Sequence, residues 1–195
     1  MLFRSVLVGD YGYVMRDGWV VIAASGKSNA KEVAAFVTNN AKPEDLVIVA
    51  PIWEASSFNF YFRLPNEQRC YPDAVRRGEV SFNGMGPRMA NELAIKDVRE
   101  AIDRAQAAGR RVWFVTEPGY ASIDDRVDDA VRLPNDYQIE NYNSVAFWRT
   151  SQVLRYLKQR FGQPFLRSPD PTYYFMPYES QAAMLFAPPV SKPKP

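Results

Sequence analysis

The sequence predicts an α/β domain built on a mostly parallel sheet, and three observations carry that prediction. The run Asp45-Leu-Val-Ile-Val-Ala-Pro51 is apolar and β-branched without alternation, the pattern of a strand covered on both faces. Arg111-Val-Trp-Phe-Val-Thr116 is a second run of the same kind. Each is preceded by a stretch of helical spacing and a turn, so two helix-turn-strand units deliver their strands in the same direction, and a parallel sheet is the simplest topology. The expected architecture is three-layered and Rossmann-like, with helices on both faces, the 45–50 strand at the centre and a C-terminal antiparallel strand pair.

In chain order, residues 6–24 offer one or two short strands around the turn signals Asp10-Tyr-Gly-Tyr13 and Asp17-Gly18. Ser25-Gly-Lys-Ser28 has the outline of a phosphate loop, but Val21 stands where the loop's first glycine is needed to wrap an anion, so it is read as a polar turn. A helix follows. Asn29 and Glu32 have capping-box spacing, Ala30, Val33, Ala34 and Val37 share a face, and Asn39-Asn40 before Pro43 stops it.

Residues 56–62 suggest a further helix with Phe58, Tyr61 and Phe62 as its buried face, and Arg69-Cys-Tyr-Pro72 a short strand. Residues 73–88 carry Gly, Arg and Pro without periodicity, a surface excursion whose arginines are read as a solvated face. Leu93, Ala94, Val98, Ala101, Ile102 and Ala105 have helical spacing, with Gly109 as the stop before the 111–116 strand. Residues 122–142 are acidic and irregular; Asp124, Asp125, Asp128 and Asp129 lack the alternating order of a calcium loop, and the stretch reads as a solvated loop or short helix. The last helix spans 145–161, with Phe147, Leu154, Leu157 and Phe161 on one side and Gly162 closing it. Residues 173–178 and 181–187 read as two strands about Glu179-Ser180, and 191–195 as a disordered tail, so residues 1–190 form one domain.

Composition narrows the function classes. Lys and Arg total 24 against 22 Asp and Glu, too balanced for a nucleic-acid partner. The chain has no histidine and a single cysteine, Cys70, which removes His-based triads, disulfides and multi-cysteine metal cages; no metal and no cofactor is expected. Chemistry would run on carboxylates, Lys or Tyr. No apolar stretch approaches the roughly 20 residues that span a bilayer. The opening Leu2-Phe-Arg-Ser5 is also what the end of a common sequencing adapter encodes in one frame, so an N-terminal truncation is expected.

Open α/β sheets place ligands beyond the carboxyl ends of their strands. Trp53, Glu54, Tyr61 and Arg63 follow the first strand, and Glu117 and Tyr120 follow the second. These six are the candidate binding residues. No catalytic residue is assigned, since the same side chains serve equally as packing and surface.

The order of helix, Lys42-Pro-Glu-Asp-Leu-Val-Ile-Val-Ala-Pro51, Tyr61-Phe62, Tyr71-Pro72 and Gly109-Arg-Arg-Val-Trp-Phe-Val115 resembles the soluble C-terminal domain of bacterial membrane glycosyltransferases. These are of the family 39 type, related to dolichyl-phosphate-mannose protein mannosyltransferases. The likeness covers about residues 28–187, with Glu44 in place of the family's glycine. It implies a non-catalytic extracytoplasmic domain on the periplasmic face of the cell membrane. Its whole protein would move a sugar from a polyprenyl-phosphate donor, with the absent transmembrane portion as partner and a sugar acceptor nearby; the family's catalytic Asp lies in a region this chain does not match. Two other readings stay open: a free-standing small-molecule enzyme with Glu54 or Glu117 as acid/base and Arg63 as anion clamp, and a protein-binding module.

Overall fold

The structure, a computed structural model, describes residues 28–72, 88–89, 91–121, 139–169 and 180–188. In chain order the elements are α1 (Ala30–Asn40), β1 (Leu46–Val49), α2 (Trp53–Tyr61), β2 (Glu67–Cys70), α3 (Glu92–Ala107) and β3 (Val112–Thr116). There follow α4 (Pro118–Ala121), α5 (Ile139–Phe161), β4 (Leu166–Arg167) and β5 (Ala182–Phe186). The candidate strands at 6–24 and 173–178, residues 73–87 of the 73–88 excursion and the 191–195 tail lie outside the described residues.

The strands form one mixed sheet in the order β2-β1-β3-β5-β4. β1 runs parallel to both β2 and β3, with Val47 opposite Gln68 on one side and Trp113 on the other. β5 runs antiparallel to β3 and to β4. The middle strand is therefore β3, not the 45–50 run. β1 is an inner strand one place from the edge, and every one of its side chains is buried, as in β3 and β5.

The helices follow from spacing and stops. In α3 the apolar positions Ile95, Val98, Ala101, Ile102 and Ala105 return every three or four residues and are buried, while Leu93, expected among them, is 64% exposed. Asn91 caps this helix, its side chain accepting from the Leu93 N–H at 2.9 Å. Gly109 ends the turn after α3 at φ +68° and Gly162 the turn after α5 at φ +84°, a backbone region that favours glycine. Two further expectations are corrected at helix starts. α2 begins at Trp53 rather than 56, and α5 begins at Ile139, so the last part of the acidic stretch is helical.

The helices associate in pairs, α1 with α2 and α3 with α5. From α1, Phe36 meets the Trp113 ring edge-on at a centroid distance of 6.0 Å. From α5, the buried Arg149 reaches back to Glu92 at the start of α3 and stacks on Trp148. That guanidinium holds the Glu92 carboxyl below its usual range.

At the amino end of β1, Asp45 is fully buried and ties the two strands together. Its carboxylate accepts from Arg111 Nε at 2.9 Å and Nη2 at 2.6 Å, from the Trp113 indole at 3.1 Å and from the Lys42 backbone N–H at 2.9 Å. Three of these four donors meet Asp45 Oδ2 and one meets Oδ1. The turn before it is held by Asn66, whose amide donates to the carbonyls of Lys42, Pro43 and Asp45.

Among the described residues no helix is long and apolar enough to cross a membrane, and no group of His, Cys, Asp and Glu is arranged to hold a metal ion.

Candidate functional site

From β1 the chain crosses through α2 outward to β2, then returns through α3 past β1 to β3 on its far side. Where the connections from two neighbouring parallel strands leave in opposite directions, α/β sheets place their ligand crevices at the carboxyl ends, here of β1 and β3. Trp53 starts α2 just beyond β1, and Glu117 directly follows β3. Because β5 is antiparallel, its amino end also lies here, with Ala182 opposite Thr116 and Gln181 one residue earlier.

Two pairs of side chains meet in this region. The Trp53 indole Nε1 donates to Glu117 Oε1 at 2.9 Å, and both residues are half-buried. Burial pushes the Glu117 carboxyl above its ordinary value of 4.5, and the indole hydrogen bond offsets only part of that rise. Among the described residues Glu117 has no cation beside it.

Glu54 is buried, and the Gln181 side-chain amide donates to its Oε2 at 2.8 Å, to its carbonyl at 3.0 Å and to Ser57 Oγ at 2.9 Å. Gln181 is itself gripped by Asn29. The Gln181 backbone N–H donates to Asn29 Oδ1 at 2.6 Å, and Asn29 Nδ2 donates to the Gln181 carbonyl at 2.7 Å.

That bracket corrects the capping-box reading of Asn29. Asn29 does precede α1, but its side chain makes no cap hydrogen bond. Ser28 Oγ accepts from the Ala30 N–H at 3.1 Å instead. Asn29 is spent on a backbone that has no ladder partner at that point, where a buried N–H and C=O would otherwise stay unmet.

The six sequence candidates thus separate into groups. Trp53, Glu54 and Glu117 gather at the strand ends. Tyr61 and Arg63 do not, because α2 leads away from that end for nine residues, about 12 Å of helix. There Tyr61 is 44% exposed rather than part of the buried face, stacked edge-on against the exposed Phe60, and Arg63 lies over the Phe60 ring at 5.7 Å. Tyr120 lies in α4, and its side chain is outside the described residues.

Asn29 and Gln181 were missed from sequence. Their only signal is that both are amides at the boundary of an apolar run. A cavity of about 570 Å³ lies elsewhere, between the end of β2 and the flank of α3. The strand ends of β1 and β3 carry the Trp53–Glu117 and Glu54–Gln181 pairs instead. No protein-family model, curated protein or solved structure matches the chain.

Proposed function

We propose that this chain is the soluble extracytoplasmic domain of an integral-membrane glycosyltransferase that uses a polyprenyl-phosphate sugar donor. In this reading it catalyses nothing itself and offers a carbohydrate acceptor a face at the carboxyl ends of β1 and β3. The sheet would be the core of a three-layer, Rossmann-like body on the periplasmic face of the membrane, joined to the transmembrane portion of the same protein.

The observation that carries the reading is the Trp53–Glu117 pair, an indole beside a half-buried carboxyl at the carboxyl ends of two paired parallel strands. Sugar sites combine aromatic faces with a few fixed polar groups, since pyranose C–H faces pack on rings while hydroxyls exchange hydrogen bonds with carboxyls. A second support is that the motifs behind the family resemblance are physically one unit. Asp45 from the first grips Arg111 and Trp113 from the second.

Titration of the chain with a panel of neutral mono- and disaccharides, followed by NMR, tests the acceptor face. Trp53→Ala should weaken any binding about tenfold, the equivalent of one lost ring contact. Absence of binding across the panel would remove the acceptor role. The membrane assignment is tested separately, by extending the reading frame upstream in search of apolar spans of roughly 20 residues. An in-frame stop codon directly before a strong start site at Met1 would end it.

The raised Glu117 carboxyl favours a second reading, a free-standing enzyme in which Glu117 is the acid/base. Glu117→Gln separates the two, because an amide still hydrogen-bonds hydroxyls but cannot transfer a proton. Retained sugar binding fits the acceptor face, whereas loss of a turnover present in the unmodified chain fits the enzyme.

A further inference from the structure

The groove beside the edge strand β2 is not used by the strand-end pairs, and its composition is that of a ligand site. Its volume of about 570 Å³ falls among small-molecule sites. Cys70 and Pro72 at the end of β2 and Val98 from α3 give it a buried, mostly apolar floor.

The walls are charged. On α3, Asp97, Glu100 and Arg104 recur at helical spacing and line one side. Arg69 and Arg88 line the groove as well. Arg69 Nη2 meets Glu67 at 3.0 Å while its Nη1 donates to the Gln68 carbonyl at 3.1 Å, and Arg104 stands 4.0 Å from Glu100. A guanidinium has five N–H donors in a planar fork, so one or two such contacts leave it able to grip a further anion. Carboxylates only accept, so Asp97 and Glu100 require a ligand that brings donors of its own.

We propose that this groove binds a small organic anion carrying a phosphate or carboxylate at one end and several hydroxyl groups on its body. The guanidinium groups of Arg69, Arg88 and Arg104 take the anionic group. Asp97 and Glu100 accept from the hydroxyls, and the apolar floor excludes water beneath the ligand. The same two carboxylates repel a compact anion that has no donors to offer them. The site is independent of the reading placed on Trp53 and Glu117 and uses none of their residues.

Calorimetric titration of the full chain with glucose 6-phosphate, inorganic phosphate and glucose tests it. Glucose 6-phosphate should bind saturably, about tenfold more tightly than either fragment, because only it meets both walls. Arg69→Gln, Arg88→Gln and Arg104→Gln should each weaken it about tenfold, with losses that shrink in high salt. Arg104 lies exposed on α3, so its replacement leaves the fold intact even if Arg69→Gln, which also breaks the Glu67 pair, does not. No saturation by about 10 mM, or an affinity unchanged in Arg104→Gln and Arg88→Gln, overturns the site. Equal binding of inorganic phosphate and glucose 6-phosphate overturns the assignment of Asp97 and Glu100 as hydroxyl acceptors.

Discussion

The two ends of the β1–β3 strand pair carry the same chemical motif with opposite outcomes. At the amino end a carboxylate, Asp45, accepts from the Trp113 indole; at the carboxyl end a carboxylate, Glu117, accepts from the Trp53 indole. Asp45 is fully buried and also holds the Arg111 guanidinium through two hydrogen bonds. Glu117 is half-buried with the indole as its partner, and its carboxyl is pushed up by lost hydration. An indole alone does not replace the water a carboxylate gives up. A guanidinium supplies the countercharge, which turns the motif into a clamp; without one it stays a titratable group poised near solvent.

The sharpest way to break this comparison is at Asp45. Asp45→Ala removes the shared acceptor of the Arg111 guanidinium, the buried Trp113 indole and the Lys42 N–H. The expected loss is about 3 kcal/mol, the range for removing one partner of a buried, hydrogen-bonded ion pair. Urea unfolding followed by circular dichroism measures it. A loss under about 1 kcal/mol would mean that water replaces the carboxylate and that the amino end is no clamp.

What the sequence made legible, and what it did not, divides along the same line. β1, β3 and α3 were readable because each is decided locally: an unbroken β-branched run, or apolar positions at helical spacing closed by a glycine. β2 was placed at 69–72 and lies at Glu67–Cys70. Its Glu67, Gln68 and Arg69 carry no strand pattern, and its extent is decided by pairing with β1 twenty-one residues away in register. The identity of the middle strand likewise rests on β5, which joins β3 from the far end of the chain. At the candidate site, Trp53, Glu54 and Glu117 lie together at the strand ends. Tyr61 and Arg63 lie apart from them, because proximity in sequence to a strand end does not survive nine residues of helix leading away.

A smaller effect is expected at the bracket on the carboxyl end. Asn29 and Gln181 are 152 positions apart and exchange two hydrogen bonds through the Gln181 backbone. Asn29→Ala strands a buried N–H and a buried C=O, so the expected loss is about 2 kcal/mol. Hydrogen exchange should also quicken at Ala183 and Leu185 more than at Val47, since β5 loses its anchor while β1 keeps its clamp. Equal acceleration in both strands would mean that the two ends are not separately held.

The smallest effect, and the one that bears most directly on the comparison, is the pH dependence of Glu117. Its folded-state pKa is raised, so the folded protein holds this proton more tightly than the unfolded chain does. The stability contributed by that proton is complete below the ordinary value of 4.5 and is lost as pH rises through the raised value. Glu117→Gln should remove this decline and leave a flatter profile across the weakly acidic range. Trp53→Phe deletes the indole hydrogen bond that favours the ionised form, so the decline should move to still higher pH, at a cost in stability of under about 1 kcal/mol at neutrality. Carboxyl-carbon NMR titration of Glu117 in the two backgrounds reads the shift directly. If Trp53→Phe leaves the titration where it was, the indole is a neighbour and not a partner. The contrast with Trp113, which shares its acceptor with a cation, would then have to rest on Arg111 alone.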